Sequence, residues 1–177
     1  FRNVLVTNCC ISRSNRGISI QIRDCGNVEN VIFSNIRIET RRFSHEWWGR
    51  AEAICLTSID RKPGVKAGKI KNVRFQNITC EGENGIFLRG SDDNFIEDIS
   101  FENISLVLEK NSKWEIEGYD IRPCQGDGNL RRKICGVYGE YAKNLTFKNV
   151  KVEARESILP YYDKEMEFKD TDNVSIQ

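Results

Sequence analysis

The sequence carries almost no net charge: 27 Lys and Arg stand against 26 Asp and Glu, giving +1. That balance excludes the basic excess on one face that a nucleic-acid footprint needs, and it supplies no polybasic patch for a membrane surface. Apolar runs are only a few residues long, so no stretch spans a bilayer. Histidine occurs once, at His45, which leaves no Ser/His/Asp or Cys/His constellation with a choice of partners. Helix signals are also scarce: Asn, Gly and β-branched residues dominate, and no sustained 3.6-residue stripe appears. No signal peptide opens the chain. Phe1 begins inside a repeat unit and the only Met is Met166, so the expectation is a single domain, 1–177, excised from a longer protein.

Cysteine, by contrast, is plentiful. Seven lie at 9, 10, 25, 55, 80, 124 and 135, without any CxxC spacing, which argues against a zinc site of the usual kind. They read as free thiols acting as small apolar residues, several of them in the core. A disulfide such as Cys124 with Cys135 is the alternative to free thiols, and nothing in the sequence establishes it. Neither a metal nor a cofactor is expected.

What the sequence does contain is a phrase repeated six times: NVLVTNC at 3, NVIFSNI at 30, NVRFQNI at 72, DISFENI at 98, NLTFKNV at 144 and NVSIQ at 173. A constant short motif at variable spacing marks a structural unit with loops inserted between copies. Inside it the period is two. Val73, Phe75 and Asn77 fall on one side, Arg74 and Gln76 on the other, with the same parity in the other copies. A second short strand follows each of the first five copies: GISIQI at 17, AICLTS at 53, GIFLRG at 85, GVYGEY at 136 and EMEFKD at 165. Val, Ile and Phe favour strands.

Stacked short strands with aligned columns predict an all-β parallel β-helix, each coil about 4.8 Å from the last. Phe33, Phe75, Phe101 and Phe147 would stack inside. Asn35, Asn77, Asn103 and Asn149 would form an inward amide ladder at a bend, each amide satisfied by its neighbours. A hairpin-built β-sandwich has only ENGIF at 83 and GDGN at 126 in its favour. The four sequons at Asn77, Asn103, Asn144 and Asn173 arise from the ladder motif and read as architecture. An exposed end coil can pair with another chain, which leaves two expectations for that end, an oligomer through it or a cap over it.

The least repetitive residues lie in the insertions 39–52, 59–69 and 109–134. RRFSHEWWGRAE (41–52) places adjacent tryptophans among charges, and WEIEGYDIRPCQGDGNLRR (114–132) adds Trp114, Tyr119, Asp120 and Arg122. Aromatic faces stack on pyranose rings, and Arg forks onto carboxylates, so acidic sugar is the ligand class they suggest. Trp47 or Trp48 can equally pack beneath the loop. Taking Gly17, Ala53, Gly85 and Gly136 as equivalent aligns two outward columns: Ser19, Cys55, Phe87, Tyr138, and Gln21, Thr57, Arg89, Glu140. Either these floor a groove or they are solvated strand faces. Asp92 and Asp93 form the only Asp-Asp pair and read as turn formers.

The six NVxFxN coils, NRGISIQIRDCGNVENVIFSNIRIE (15–39), WWGRAEAI (47–54) and YDIRP (119–123) together resemble the C-terminal half of glycoside hydrolase family 28, the polygalacturonase-like pectinases. The resemblance covers nearly the whole chain. It implies a right-handed parallel β-helix of about six coils here, and metal-free inverting hydrolysis of pectic polysaccharide. The family's NTD, GDD and GHG motifs do not occur. Its Gly-x-Arg-Ile-Lys would fall on Gly17–Gln21, where Ser19 and Gln21 replace the cations and Arg23 stands one pleat further on. The catalytic acids are therefore expected upstream of Phe1, and the chain is expected to be inactive alone. The candidate sugar contacts are Arg23, Trp47, Trp48, Arg50, Glu52, Arg89 and Arg122. The rival reading is a non-catalytic carbohydrate-binding or adhesin-like β-helix. A pectate lyase would need clustered carboxylates for calcium, and no such cluster stands out. Polysaccharide work points to secretion, while unpaired thiols suit a reducing interior.

Overall fold

The computed structural model describes residues 1–46 and 48–177. The chain is all-β and alternates between long and short strands. The long ones are β1 (Arg2–Ser14), β3 (Val28–Thr40), β5 (Ile70–Gly82), β7 (Ile96–Leu108), β11 (Ala142–Ala154) and the shorter β13 (Asp172–Ile176). Between them lie β2 (Ile18–Ile22), β4 (Glu52–Ser58), β6 (Asn84–Arg89), β10 (Val137–Glu140) and β12 (Met166–Lys169). The first group makes a six-stranded sheet in the order β1-β3-β5-β7-β11-β13, and the second a five-stranded sheet in the order β12-β10-β6-β4-β2. All the pairings within both are parallel. Among the strands of the described residues, β8 (Tyr119–Asp120) and β9 (Asn129–Leu130), inside the 109–134 insertion, are the pair that runs antiparallel.

The register places like residue over like. Phe33 pairs with Phe75, Phe75 with Phe101 and Phe101 with Phe147. Their rings stack at centroid distances of 5.2, 4.8 and 5.1 Å, with planes within 6°. Phe75, Phe101 and Phe147 are fully buried, and side chains from both sheets join in one core. Burying each such ring is worth roughly 1.5–3 kcal/mol before entropy is counted.

One expectation about parity is corrected. The asparagine column forms, but it lies on the outside. Asn35 donates through Nδ2 to Asn8 Oδ1 at 3.3 Å, Asn77 to Asn35 at 3.2 Å, Asn103 to Asn77 at 3.0 Å and Asn149 to Asn103 at 2.8 Å. All are exposed. Their φ angles, 51 to 56° from Asn35 to Asn149, put them in the left-handed region that Asn tolerates better than other side chains. That conformation turns the chain and resets the alternation, so Ile36, Ile78 and Ile104 point inward immediately after their Asn. A second external ladder, not anticipated, runs through the first residue of the phrase. Asn30 donates to Asn3 at 3.1 Å, Asn72 to Asn30 at 2.8 Å, Asn144 to Asp98 at 2.8 Å and Asn173 to Asn144 at 2.9 Å. Each phrase thus spans two corners.

The short strands align as expected, with Ser19, Cys55, Phe87 and Tyr138 in one column and Gln21, Thr57, Arg89 and Glu140 in the next. Gly85 and Gly136 are adjacent at the entry to β6 and β10. A Cβ on Gly85 would run into the Gly136 carbonyl oxygen, so close stacking of the rungs demands glycine there. Cys55, Phe87 and Tyr138 are buried, not solvated, because the 109–134 insertion folds back across them. All seven cysteines are free thiols, with Cys55, Cys80 and Cys135 buried, and no bond joins Cys124 to Cys135.

Candidate functional site

Tyr119, on β8, holds the insertion down. Its ring stacks on Phe87 at 4.4 Å and on Tyr138 at 5.3 Å. Its hydroxyl accepts the Cys135 N–H at 2.8 Å, and burial pushes the phenol well above its ordinary range. Tyr138 is flanked by the Arg132 guanidinium, 4.4 Å over the ring, and donates to Glu140 Oε2 at 3.1 Å. Burial first, and Glu140 next, push its phenol up to about 12.

The neighbouring residue, Asp120, is fully buried and carries the densest set of bonds. One oxygen accepts from the Gly49 N–H at 3.1 Å and from Arg122 Nη2 at 2.6 Å; the other accepts from the Arg122 N–H at 2.9 Å and from its Nε at 3.0 Å. Burial alone would raise this carboxyl, but these donors outweigh it and hold it low. The Asp120 carbonyl accepts from Arg16 at 2.8 Å, and Arg16 forks onto Glu52 at 2.9 and 3.3 Å. Glu52 also takes the Arg50 N–H at 2.8 Å. Burial would lower Arg16, yet Glu52 and Asp120 raise it above its ordinary value. Asn84 completes the weld, donating to the carbonyls of Arg50 at 3.1 Å and Gly118 at 2.9 Å.

The predicted contacts divide in two. Arg23, Arg50 and Glu52 are buried and engaged. Arg23 donates to Thr57 Oγ1 and to the Ile121 carbonyl, both at 2.9 Å, and Arg50 donates to Asn129 Oδ1 at 2.7 Å and the His45 carbonyl at 3.2 Å. Burial, reinforced by Arg16, lowers the Arg23 guanidinium below its usual value. The other group faces outward. Trp48 is 53% exposed, with its carbonyl accepting from Asn15 at 2.7 Å. Arg122 lies flat on Asp120 and its Nη1 donates to nothing among the described residues. Arg89 is half-buried beside Glu140, at 3.4 Å. Trp47 lies outside the described residues. Because one Asp120 oxygen holds both Gly49 and Arg122, Trp48 and Arg122 are anchored to a common point. A hollow of about 430 Å³ lies between the end of β2 and the start of β3, lined by Gln21, Arg23, Asp24 and Cys25 among others, and of the predicted contacts only Arg23 borders it. Cys124 is half-buried nearby; burial pushes its thiol up against the pull of Arg23 and Arg89.

Sequence reasoning missed the support layer of Arg16, Asn84, Asn129 and the central role of Asp120. The available signal was the Asp two residues before Arg in YDIRP, a spacing that lets the carboxylate meet both the N–H and the guanidinium of Arg122. Asp93 behaves as a turn residue, accepting from Ser91 at 2.9 Å and from Lys66. Among the described residues every carboxylate whose pKa is displaced, Glu83, Asp93, Glu97, Glu102, Asp120 and Glu167, is displaced downward. The raised general acid of an inverting glycosidase is not among them. Cys135, Asp163 and Glu167 bring ligand atoms within 4.8 Å of one another, but Arg132 bonds Glu167 at 2.6 Å and Lys164 lies 3.6 Å from both carboxylates, so the group is already neutralised. Comparison with protein-family models, with curated proteins and with solved structures gives no match to this chain.

Proposed function

We propose that this chain forms about six coils of a right-handed parallel β-helix that binds pectic or related acidic polysaccharide, as part of a polygalacturonase-like inverting glycoside hydrolase. The observation that carries this reading is Arg122, held by Asp120 with Nη1 donating to nothing among the described residues, and tied through the same carboxylate to Gly49, which follows exposed Trp48 in the chain. A planar guanidinium fixed on one edge presents the other to a sugar carboxylate, and an indole offers a face to the ring. Arg23, Arg50 and Glu52 serve as the mount that keeps this pair in place, and Arg89 borders it. The acid and base carboxylates would stand on coils outside these residues, since the displaced carboxylates here are all held ionised.

The second reading is a non-catalytic carbohydrate-binding or adhesin-like β-helix, and what favours it is that the buried carboxylates of the site, Asp120 and Glu52, are both taken up by guanidinium and backbone donors. Calorimetric titration of the chain with oligogalacturonate, alongside a reducing-end assay, tests both. Binding without release of reducing ends is expected. Arg122→Lys should weaken binding roughly tenfold, because a point charge cannot replace a fixed fork. Equal binding of neutral and acidic oligosaccharides, or no binding to either, would overturn the sugar-acid assignment. Release of reducing ends by a longer chain carrying further coils, and not by this one, would favour the hydrolase over the binder.

A further inference from the structure

Several columns of outward side chains on the long sheet are matched from rung to rung. The asparagines bond one another, and Glu97 meets Lys71 at 3.6 Å and Lys143 at 3.2 Å. The column two residues beyond Asn35, Asn77, Asn103 and Asn149 is different. There the register aligns Arg37, Thr79, Ser105 and Lys151. All four are exposed, and their side chains bond nothing among the described residues.

Two hollows meet along this column. One, of about 390 Å³, is lined by Asn77, Asn103, Thr79, Ser105 and Lys151 among others, with buried Ile78 and Ile104 beneath. The other, of about 160 Å³, is lined by Arg37, Thr79, Glu81, Ser105 and Val107 among others. Thr79 and Ser105 border both, so the two form one trough across β3, β5, β7 and β11. Its donors are partly unused. Asn77 gives one N–H to Asn35 and accepts one from Asn103, which leaves a second N–H and a second lone pair for a ligand. Its charges are patterned. The next outward column is Glu39, Glu81, Val107 and Glu153. Arg13 compensates Glu39 at 3.7 Å and Arg155 compensates Glu153 at 3.4 Å. Arg37 and Lys151 are therefore unmatched cations at the two ends, three rungs or roughly 14 Å apart. Between them stand two hydroxyls and the single carboxylate of Glu81, which also bonds nothing among the described residues.

We propose that this trough binds a linear oligosaccharide whose carboxylates are separated by neutral, hydroxyl-bearing sugars, laid along the stack. One carboxylate meets the Arg37 fork and another the Lys151 ammonium. The sugars between them exchange hydrogen bonds with Thr79, Ser105 and the spare amide groups of Asn77 and Asn103. Glu81 sets the selectivity. A chain charged at every sugar would bring a carboxylate against it at the middle of the trough, whereas a neutral sugar there offers hydroxyls that it accepts. The trough lies on the long sheet, while Tyr119, which carries the Arg122 site, packs on Phe87 and Tyr138 of the short-strand sheet. The ligand class is the one proposed for Arg122, but the assignment rests on the charges and donors of the trough alone.

Nuclear magnetic resonance titration of the 177-residue chain tests this with three probes. They are a rhamnogalacturonan oligosaccharide, in which acidic and neutral sugars alternate, oligogalacturonate, and a neutral galactan oligosaccharide. The alternating probe should shift the side-chain amide signals of Asn77 and Asn103 and the Thr79 methyl, and the other two should do so at several-fold higher concentration. Arg37→Gln with Lys151→Gln removes both end charges from exposed positions and should weaken the alternating probe roughly three- to tenfold, the scale of two exposed charge contacts. Glu81→Gln should bring oligogalacturonate closer to the alternating probe. Circular dichroism checks that the variants fold. Signals of Gly49 and Arg122 report the other site in the same titration, so failure of either assignment is seen separately. No shift at Asn77, Asn103 and Thr79 with the alternating probe would overturn the proposal. So would oligogalacturonate or galactan acting there equally well, or undiminished binding by the doubly substituted chain.

Discussion

Tyr119 and Phe87 lie face to face, centroids 4.4 Å apart and planes within 7°, although one belongs to an insertion and the other to a sheet strand. The contact converts a long loop into a fixed wall, and through Asp120 it sets the position of Arg122. Tyr119→Ala should therefore cost about 3–5 kcal/mol in chemical denaturation, as for other buried aromatics, and should open 109–134 to limited proteolysis. Tyr119→Phe keeps the stack and strands only the Cys135 N–H, so its cost should be near 1 kcal/mol. Equal costs for the two variants would mean the ring stack contributes nothing.

Glu83 is an acid-sensitive group of the fold. It is completely buried and accepts the backbone N–H groups of Arg42 at 2.6 Å, of Asn111 at 2.7 Å and of Ser112, with Lys110 Nζ at 3.3 Å. Burial alone would raise it, but these backbone donors hold it below its ordinary 4.5. Its folded pKa is depressed, so its contribution is complete above the unfolded value and is lost as pH falls through the folded one. Glu83→Gln should lower stability by about 1–3 kcal/mol at neutral pH and flatten the stability–pH curve below about 4.5. An unchanged slope in denaturation midpoints across pH 3–5 would refute the assignment.

Asn77 tests the corners. At φ 54° it is in a conformation that costs an ordinary L side chain about 1–2 kcal/mol. Asn77→Gly should be about 1 kcal/mol less destabilising than Asn77→Ala, the reverse of the usual order in a strand. Both lose the bonds to Asn35 and Asn103. Urea titrations in which alanine is the milder change would contradict a left-handed corner.

Thiol chemistry should sort by position. Cys9, Cys10 and Cys25 are exposed, while burial pushes Cys55 and Cys80 up to about 12. A native Ellman titration should show three fast thiols, and all seven after unfolding. Rapid loss of Cys55 or Cys80 in the folded protein, mapped by mass spectrometry, would show that the core opens.

The repeat made the parallel stacking, the phenylalanine column and the alignment of short strands readable from the residues alone, because each follows from identical side chains at fixed phase. The parity of Asn35 and Asn77 was not readable from strand alternation. Alternation assumes a continuous strand, and a left-handed Asn resets it by one residue. The inward Ile that follows each Asn was the clue. The site was legible only as a list of residue types. Nothing in the order of Arg23, Arg50 and Arg122 says which becomes buried, because that depends on the insertion crossing Cys55, Phe87 and Tyr138. Residues 36 to 104 positions apart, such as Glu52 and Asp120 on Arg16, meet only once those loops are laid down.

The amide ladders link rungs separated by 27, 42, 26, 46 and 29 residues. Pulled from its two termini, such a molecule is loaded along the direction of its inter-rung bonds, so they yield one row after another and never all at once. Force spectroscopy would record a peeling trace whose successive extensions differ in length, long where a loop is released with its rung and short where none is. Weakness across the parallel sheets under such a load is the counterpart of the freedom with which the loops between strands vary in size.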